Sequence, residues 1–381
     1  MIAQLGEYNM KTGRSLQELL KEVVRQQESK RDFIASTDHL SVVPQADDIR
    51  LQIGSNSTAT SLDVGINDHA HNQIGSHTKI PAQYYDRMRR EDPNLLAINV
   101  NAWFRKDPQP RMVRTLDNKA RGFLSDRFRP LDNTDLLEAA LPPLMEMGVD
   151  VMSCEVTDQK LYLKVVDQRI KRDLPVGVVL GRGHTQFDTV SPALVLSNSE
   201  VGAGALAVQT SVWTGGCSNL MIIKERSVRK YHVGGRHELG DEIYRMLSDN
   251  TKRLTDAALW AQLKDVVSGA FDVARFDAQV DKLKVATQEK IEGDPIKVVE
   301  ITAKKWGLDQ TEKNSVLQNL IRSGDFSKYG LHAAVTRAAE DVVSYDRASQ
   351  LEALGGEIVE LSKSDWREIT VSAKQQEALA A

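Results

Sequence analysis

The spacing of apolar residues is strand-like through the middle of this chain and helical beyond Gly240, and that change of period limits the folds open to it. From about Val100 to Lys230 apolar residues come in short runs parted by turn formers, as in Val149 to Val156 and Lys160 to Val166 on either side of Asp158-Gln159. Two such runs joined by two turn-forming residues predict a β-hairpin. Further strands are predicted at Val113 to Thr115, Ala120 to Ser125, Ala193 to Ser197, Ala205 to Trp213 and Asn219 to Lys224. A helix starting at Thr134 lies among them, and Pro142 and Pro143 should end or kink it near Leu141 because neither can donate a backbone hydrogen bond. Beyond Gly240 the period becomes helical. Leu331, Ala334, Val335, Ala338, Ala339, Val342 and Val343 form one apolar stripe, and similar stripes run from Thr255 to Val267 and near Asn314 to Ile321. Gly355-Gly356 should stop a helix, and Gln375 to Ala381 should fray. The predicted fold is therefore α+β, with a central, largely antiparallel sheet under covering helices, followed by a C-terminal helical subdomain.

Ahead of the strands, Ser15-Leu16-Gln17-Glu18 has the form of a capping box and predicts a helix to roughly Arg31. The Ser/Thr/Asn-rich stretch from Ser36 to Ser61 reads as loop and hairpin, with a strand only around Ile49 to Ile53. Two short helices are predicted around Gly75 to Ile80, the second entered through Pro81. Nothing in their spacing says that either enters a nucleic-acid groove. The expected division is 1–66 for the N-terminal helix and hairpin region, 67–240 for the α+β core domain and 241–381 for the helical part with a short tail.

A hydrophobic fraction of 41% beside 27% charged residues leaves room for a large core and excludes a wholly disordered chain. No apolar run is long enough to cross a bilayer, and MIAQLGEYNMKTGR lacks the apolar segment of a secretory signal, so the expectation is a cytoplasmic protein with no membrane partner. Cys154 and Cys217 lack CxxC spacing and read as reduced thiols. The net charge of −4 is unevenly spread. Tyr84 to Arg129 holds eleven Lys and Arg against six Asp and Glu, a local +5, and Leu220 to Arg236 holds five against one, a local +4, so the rest carries −13. These two segments are candidate electrostatic footprints.

In RTLDNKARGFLSDRFRPLDN the cations Arg114, Arg121, Arg127 and Arg129 surround Phe123 and Phe128, with Arg111 just upstream. Guanidiniums for phosphates beside aromatic faces for bases are the parts of a single-strand groove. Lys224, Arg226, Arg229 and Lys230 would extend that track. The same segment also reads as a structural hub, with Asp117, Asp126 and Asp132 pairing the arginines and both phenylalanines in the core. In YHVGGRHELGDE the candidates for a divalent metal are His232, His237 and Glu238, beside Asp241 and Glu242, although the HExxH spacing is missing and an acidic first turn of a helix explains the cluster equally. Asp68, His69, His71 and His77 form a second such group. Asp158-Gln159-Lys160 matches a fragment of a nuclease carboxylate motif but falls in the predicted turn. There is no phosphate loop, which argues against a P-loop motor or recombinase core, and no nucleophilic triad is readable, so no cofactor is expected and no catalytic residue is assigned, the balance leaning away from an enzyme. Asn198-Ser199-Glu200 and Cys217-Ser218-Asn219 read as tight polar turns.

Several long segments together resemble a known family. IPAQYYDRMR, NLLAINVNAWF, RTLDNKARGFLSDRFRPLDN, NSEVG with the later C-S-N, and YGLHAAVTRAAEDVVSYDRASQLEALGGEI are similar to the phage/plasmid-like domain-of-unknown-function family 932, from about Asp68 to Trp366. That resemblance implies a mobile-element setting inside a bacterial cell, in replication, recombination or conflict with the host, and brings no catalytic residues with it. The leading expectation is thus a nucleic-acid-binding protein, single strands favoured, with annealing as a homo-oligomer in recombination or replication as its role. A metal-dependent nuclease or a host-interacting accessory protein are the alternatives.

Overall fold

Helix α1 (Leu16–Ser29) begins at its capping box in the computed structural model, which describes residues 13–45, 48–54, 62–178, 185–215, 219–230 and 249–370. The Ser15 hydroxyl accepts from the Glu18 N–H at 3.3 Å and the Glu18 carboxylate accepts from the Ser15 N–H at 2.9 Å. The chain leaves this helix at Lys30 and enters a strand at once. β1 (Arg31–Ser36) and β4 (Leu62–Ile66), where no strand is predicted, flank the stretch read as loop and hairpin, and within it β2 (Leu40–Gln45) pairs with β3 (Asp48–Ile53), the strand expected around Ile49 to Ile53. The alternation that makes β2 a strand, Leu40 and Val42 buried with Ser41 and Val43 between them, is only two apolar pairs long and is easily lost among polar neighbours.

Three helices follow, α2 (Asp68–Thr78), α3 (Ala82–Glu91) and α4 (Pro93–Lys106). The strand-like texture expected from Val100 is in fact the second half of α4, whose Leu96, Ala97, Val100 and Phe104 face the core at helical spacing. β5 (Pro110–Leu116) and β6 (Lys119–Ser125) then complete a six-stranded sheet of order β1-β5-β6-β4-β3-β2, antiparallel throughout except for β4 beside β6. Val42, Leu51, Val64, Val113 and Phe123 of that sheet share one core with Ile74, Tyr85 and Phe104 of the three helices.

A second six-stranded sheet follows α5 (Asn133–Met147). It comprises β7 (Asp150–Val156), β8 (Leu161–Val166), β9 (Arg172–Val178), β10 (Thr185–Asn198), β11 (Leu206–Thr214) and β12 (Asn219–Lys230). Its order is β12-β11-β10-β8-β7, with β9 paired to the first half of β10 and β8 to the second. The predicted hairpin is β7 and β8, closed by a turn in which the Thr157 N–H donates to the Lys160 carbonyl at 2.8 Å. Helix α5 runs through Pro142 and Pro143 to Met147 instead of ending near Leu141. Leu136, Leu137, Ala140, Pro143 and Leu144 are all buried, and that packing holds the turn that two missing donors would otherwise release.

Helices then dominate: α6 (Asp249–Ser268), α7 (Val273–Gln288), α8 (Pro295–Trp306), α9 (Gln310–Ser323), α10 (Lys328–Ala338) and α11 (Tyr345–Glu360), with 363–370 also helical. The protein is thus a mixed α and β fold whose largely antiparallel sheets are followed by a helical C-terminal subdomain. No helix among the described residues is long and apolar enough to cross a membrane. α6 packs on the same face of the second sheet as α1 and α5, and α11 covers the opposite face, where Ala353 meets Val195 and Trp213. Gly355-Gly356 does not stop α11. A Cβ at Gly355 would stand 2.3 Å from Thr336 Cγ2, so the glycine is there to let α10 approach α11.

Under α11, β8 carries Lys164, whose ammonium donates to Glu352 at 2.6 Å and lies 4.6 Å from the centre of the Tyr345 ring. Both partners are buried. Removing one member of such a pair strands a charge in the core, at a cost of about 3–5 kcal/mol, whereas replacing both by apolar residues is often neutral. Urea unfolding should therefore show Glu352→Leu losing about that much and the Lys164→Met/Glu352→Leu double variant recovering most of it.

Candidate functional site

The two polar segments singled out in the sequence meet in space. Glu200, in the turn between β10 and β11, is 5% exposed, and its Oε2 accepts from Arg121 of β6 at 2.6 Å. Its Oε1 accepts from the Asn133 N–H at 2.8 Å, at the first turn of α5, where unpaired amides favour a carboxylate. Its backbone carbonyl accepts from Arg114 of β5 at 2.9 Å. Arg114, 1% exposed, also donates to Asp32 at 2.8 Å and Asp132 at 3.1 Å. Lys30 closes the cluster, 2.7 Å from Asp132 and 3.5 Å from Glu200. Three cations and three carboxylates thus balance in one group, buried at Arg114, Arg121 and Glu200 and reaching solvent at Asp32, that joins the first sheet to the second.

The flanking residues serve the same joint. Asn198 donates to the Leu131 carbonyl at 2.7 Å and to Asn133 at 2.9 Å, and Ser199 donates to the Gln159 carbonyl at 2.8 Å. Gln73 of α2 donates to the Val201 carbonyl at 2.8 Å while accepting from the Phe123 N–H at 2.6 Å. Gly202 has φ of 76°, and a Cβ there would stand 2.8 Å from Leu124 Cδ2. Burial works to lower the Arg114 pKa, yet Asp32, Asp132 and Glu200 raise it above its ordinary value. Burial pushes Asp132 up, and the hydrogen bond from Lys30 with the nearby Arg114 outweighs it, leaving the carboxyl below the ordinary range.

This arrangement corrects the exposed track expected along the arginine segment. Arg114 and Arg121 are held by carboxylates, Phe123 stacks on Phe104 with ring centres 5.6 Å apart, and Phe128 packs on Met112 and Leu124. Arg129 is paired with Asp256 of α6. Arg111 is half-buried and donates to His77 at 2.7 Å and to Gln109 at 3.0 Å, and Arg127 is exposed. Of the acidic residues expected to answer these arginines, Asp132 pairs Arg114, whereas Asp117 pairs Arg25 at 2.8 Å. Lys30, Asp32 and Gln73 carry no local signal of this role, since they lie far from the motif in the chain. The local +5 dissolves because its arginines draw carboxylates from outside the segment: Asp32, Asp48, Asp68, Asp132, Glu200 and Asp256.

Lys224, Arg226, Arg229 and Lys230 all fall on β12, which ends the strand order of its sheet among the described residues. β12 pairs Ile222 with Ser211 and Ser227 with Gln209, so the residues from Ile223 to Arg226 oppose a single β11 residue, Thr210. Lys224 and Arg226 therefore sit in a bulge, and Arg229 and Lys230 in regular register with Ala207 and Leu206. His232, His237 and Glu238, with Asp241 and Glu242, lie outside the described residues, as do Cys217 and Ser218.

The histidines of α2 do not converge on a metal. His69 donates to the Val201 carbonyl at 2.9 Å, His71 meets the Tyr85 hydroxyl at 3.0 Å and His77 accepts from Arg111. Among the described residues no group of three or more His, Cys, Asp or Glu could hold a metal ion. Comparison with family models, curated proteins and solved structures finds no match to the chain.

Two measurements follow from this chemistry. Glu200→Gln leaves an excess positive charge in the joint and should cost about 3 kcal/mol in urea unfolding; a loss under about 1 kcal/mol would mean that water, not protein, balances the cluster. Burial and the neighbouring Arg89 guanidinium lower His71 to about 4, and burial with Arg111 does the same for His77. The unfolded chain binds these protons near the ordinary 6.5 and the folded chain does not, so stability is full above that value and falls as pH drops towards 4. The thermal midpoint should decline across that window while the His71 and His77 ring protons stay unshifted in NMR until its acid end.

Proposed function

We propose that the protein binds single-stranded nucleic acid without cleaving it, and that the cations of β12 make the phosphate contact. One observation carries the reading: on a chain of net charge −4, Lys224, Arg226, Arg229 and Lys230 fall within seven consecutive residues of one edge strand. Such a strand can run beside a phosphate backbone, and the bulge that breaks its register turns Lys224 and Arg226 away from regular pairing with β11. The resemblance to a mobile-element family agrees with a polynucleotide partner.

Lysines and a bulge also keep an edge strand from pairing with another chain. Salt dependence separates that role from binding. For single strands the logarithm of affinity falls with the logarithm of salt at a slope near −0.7 per phosphate neutralised, so four contacts give a slope of roughly −3. Fluorescence anisotropy with single- and double-stranded oligonucleotides should show that slope, and replacing all four residues by Gln should bring it near zero. Binding that ignores salt, or that survives the fourfold replacement, sinks the proposal.

A further inference from the structure

A cavity of about 790 Å³ lies between the second sheet and the junction of α6 with α7. That volume is within the range of small-ligand sites. Leu194, Val208, Val212 and Phe276 make an apolar wall, and Gln279, one turn beyond Phe276 on α7, lines the same space. Gln279 is 5% exposed, and neither end of its amide has a hydrogen-bond partner. The Thr210 hydroxyl, on the same wall, is also buried and unpartnered. Thr210 is the β11 residue opposite the β12 bulge, a place where a strand can turn a side chain away from its regular face. Native proteins rarely leave such groups unpaired, because a buried donor or acceptor without a partner has lost its water and gained nothing in exchange. Two in one cavity mark a place where a ligand supplies the missing partners.

The chemistry of the wall narrows the ligand. Asp265 and Arg275 both line the cavity and cancel in charge, so a neutral group suits it. A glutamine amide offers a donor and an acceptor side by side, which matches the edge of a purine, as in its bidentate pairing with adenine. The Phe276 ring supplies an apolar face for the same plane. We infer that this cavity binds a neutral planar heterocycle of the purine class, its donor and acceptor edge held by Gln279 and Thr210. This goes beyond the β12 reading and does not rest on it. A free nucleoside and an unstacked base of a strand present the same edge.

Calorimetric titration of the full chain with adenosine, guanosine, cytidine and uridine, and with short single strands, tests the assignment. A purine nucleoside, or a purine-containing strand where the base must arrive on one, should bind, and Gln279→Leu should weaken it at least tenfold without lowering the thermal midpoint, since the substitution removes an unpaired amide. Should that variant not fold, Thr210→Val, nearly isosteric, reads the same edge and should weaken binding several-fold. Neutralising the four β12 cations should leave nucleoside affinity unchanged, which keeps failure here distinct from failure of the phosphate contact. No binding of any nucleoside or strand, a preference for pyrimidines, or equal affinity in wild type and the folded variant overturns the inference.

Discussion

Glu200 accepts from groups that come to it along three separate routes: the Arg121 guanidinium from the first sheet, the Lys30 ammonium from the end of α1 and the first N–H of α5. None of these groups could be buried alone, because an uncompensated charge in the interior costs several kcal/mol. Each therefore requires the others, and the sheets they belong to are held in one relative position. The turn that presents Glu200 is itself fixed by Ser199, whose hydroxyl accepts from the Ala203 N–H at 2.8 Å. Specific hydrogen-bonded charge at this joint sets orientation in a way that apolar contact, which has no direction, does not.

That joint explains why a stretch rich in arginine and phenylalanine is not a surface. A guanidinium carries five donors, and those of Arg114 go to two carboxylates and a carbonyl supplied by other parts of the chain. Composition along the sequence measures charge per residue, whereas a phosphate responds to charge per unit of exposed surface. Tyr84 to Arg129 is cationic by the first measure and largely neutralised by the second. β12 has a different position: it ends the strand order of its sheet among the described residues, with Lys224 and Arg226 at backbone positions within its bulge.

The bulge links the two proposals in structure while leaving them separate in chemistry. It sets four β12 residues, Ile223 to Arg226, against the single β11 residue Thr210, which lines the cavity. An edge strand contributes charge along an unpaired backbone edge, and a cavity between sheet and helices contributes enclosure with little charge. Phosphate and a neutral base make opposite demands of those kinds, which is why distinct places on one sheet can serve them.

Local pattern sufficed for much of the architecture. The capping box at Ser15, the β7–β8 hairpin around Asp158-Gln159 and the stripe of α10 are legible because each depends on residues within a few positions of one another. The helical continuation through Pro142-Pro143 and Gly355-Gly356 was not, since what overrides those breakers is packing against remote elements. Among the site residues, the polar turn at Asn198-Ser199-Glu200 could be named from its residue types, but its partners could not. Which charges cancel, and which polar groups of α7 and β11 are left facing a cavity, depends on distances between segments far apart in the chain, and only the folded structure sets those.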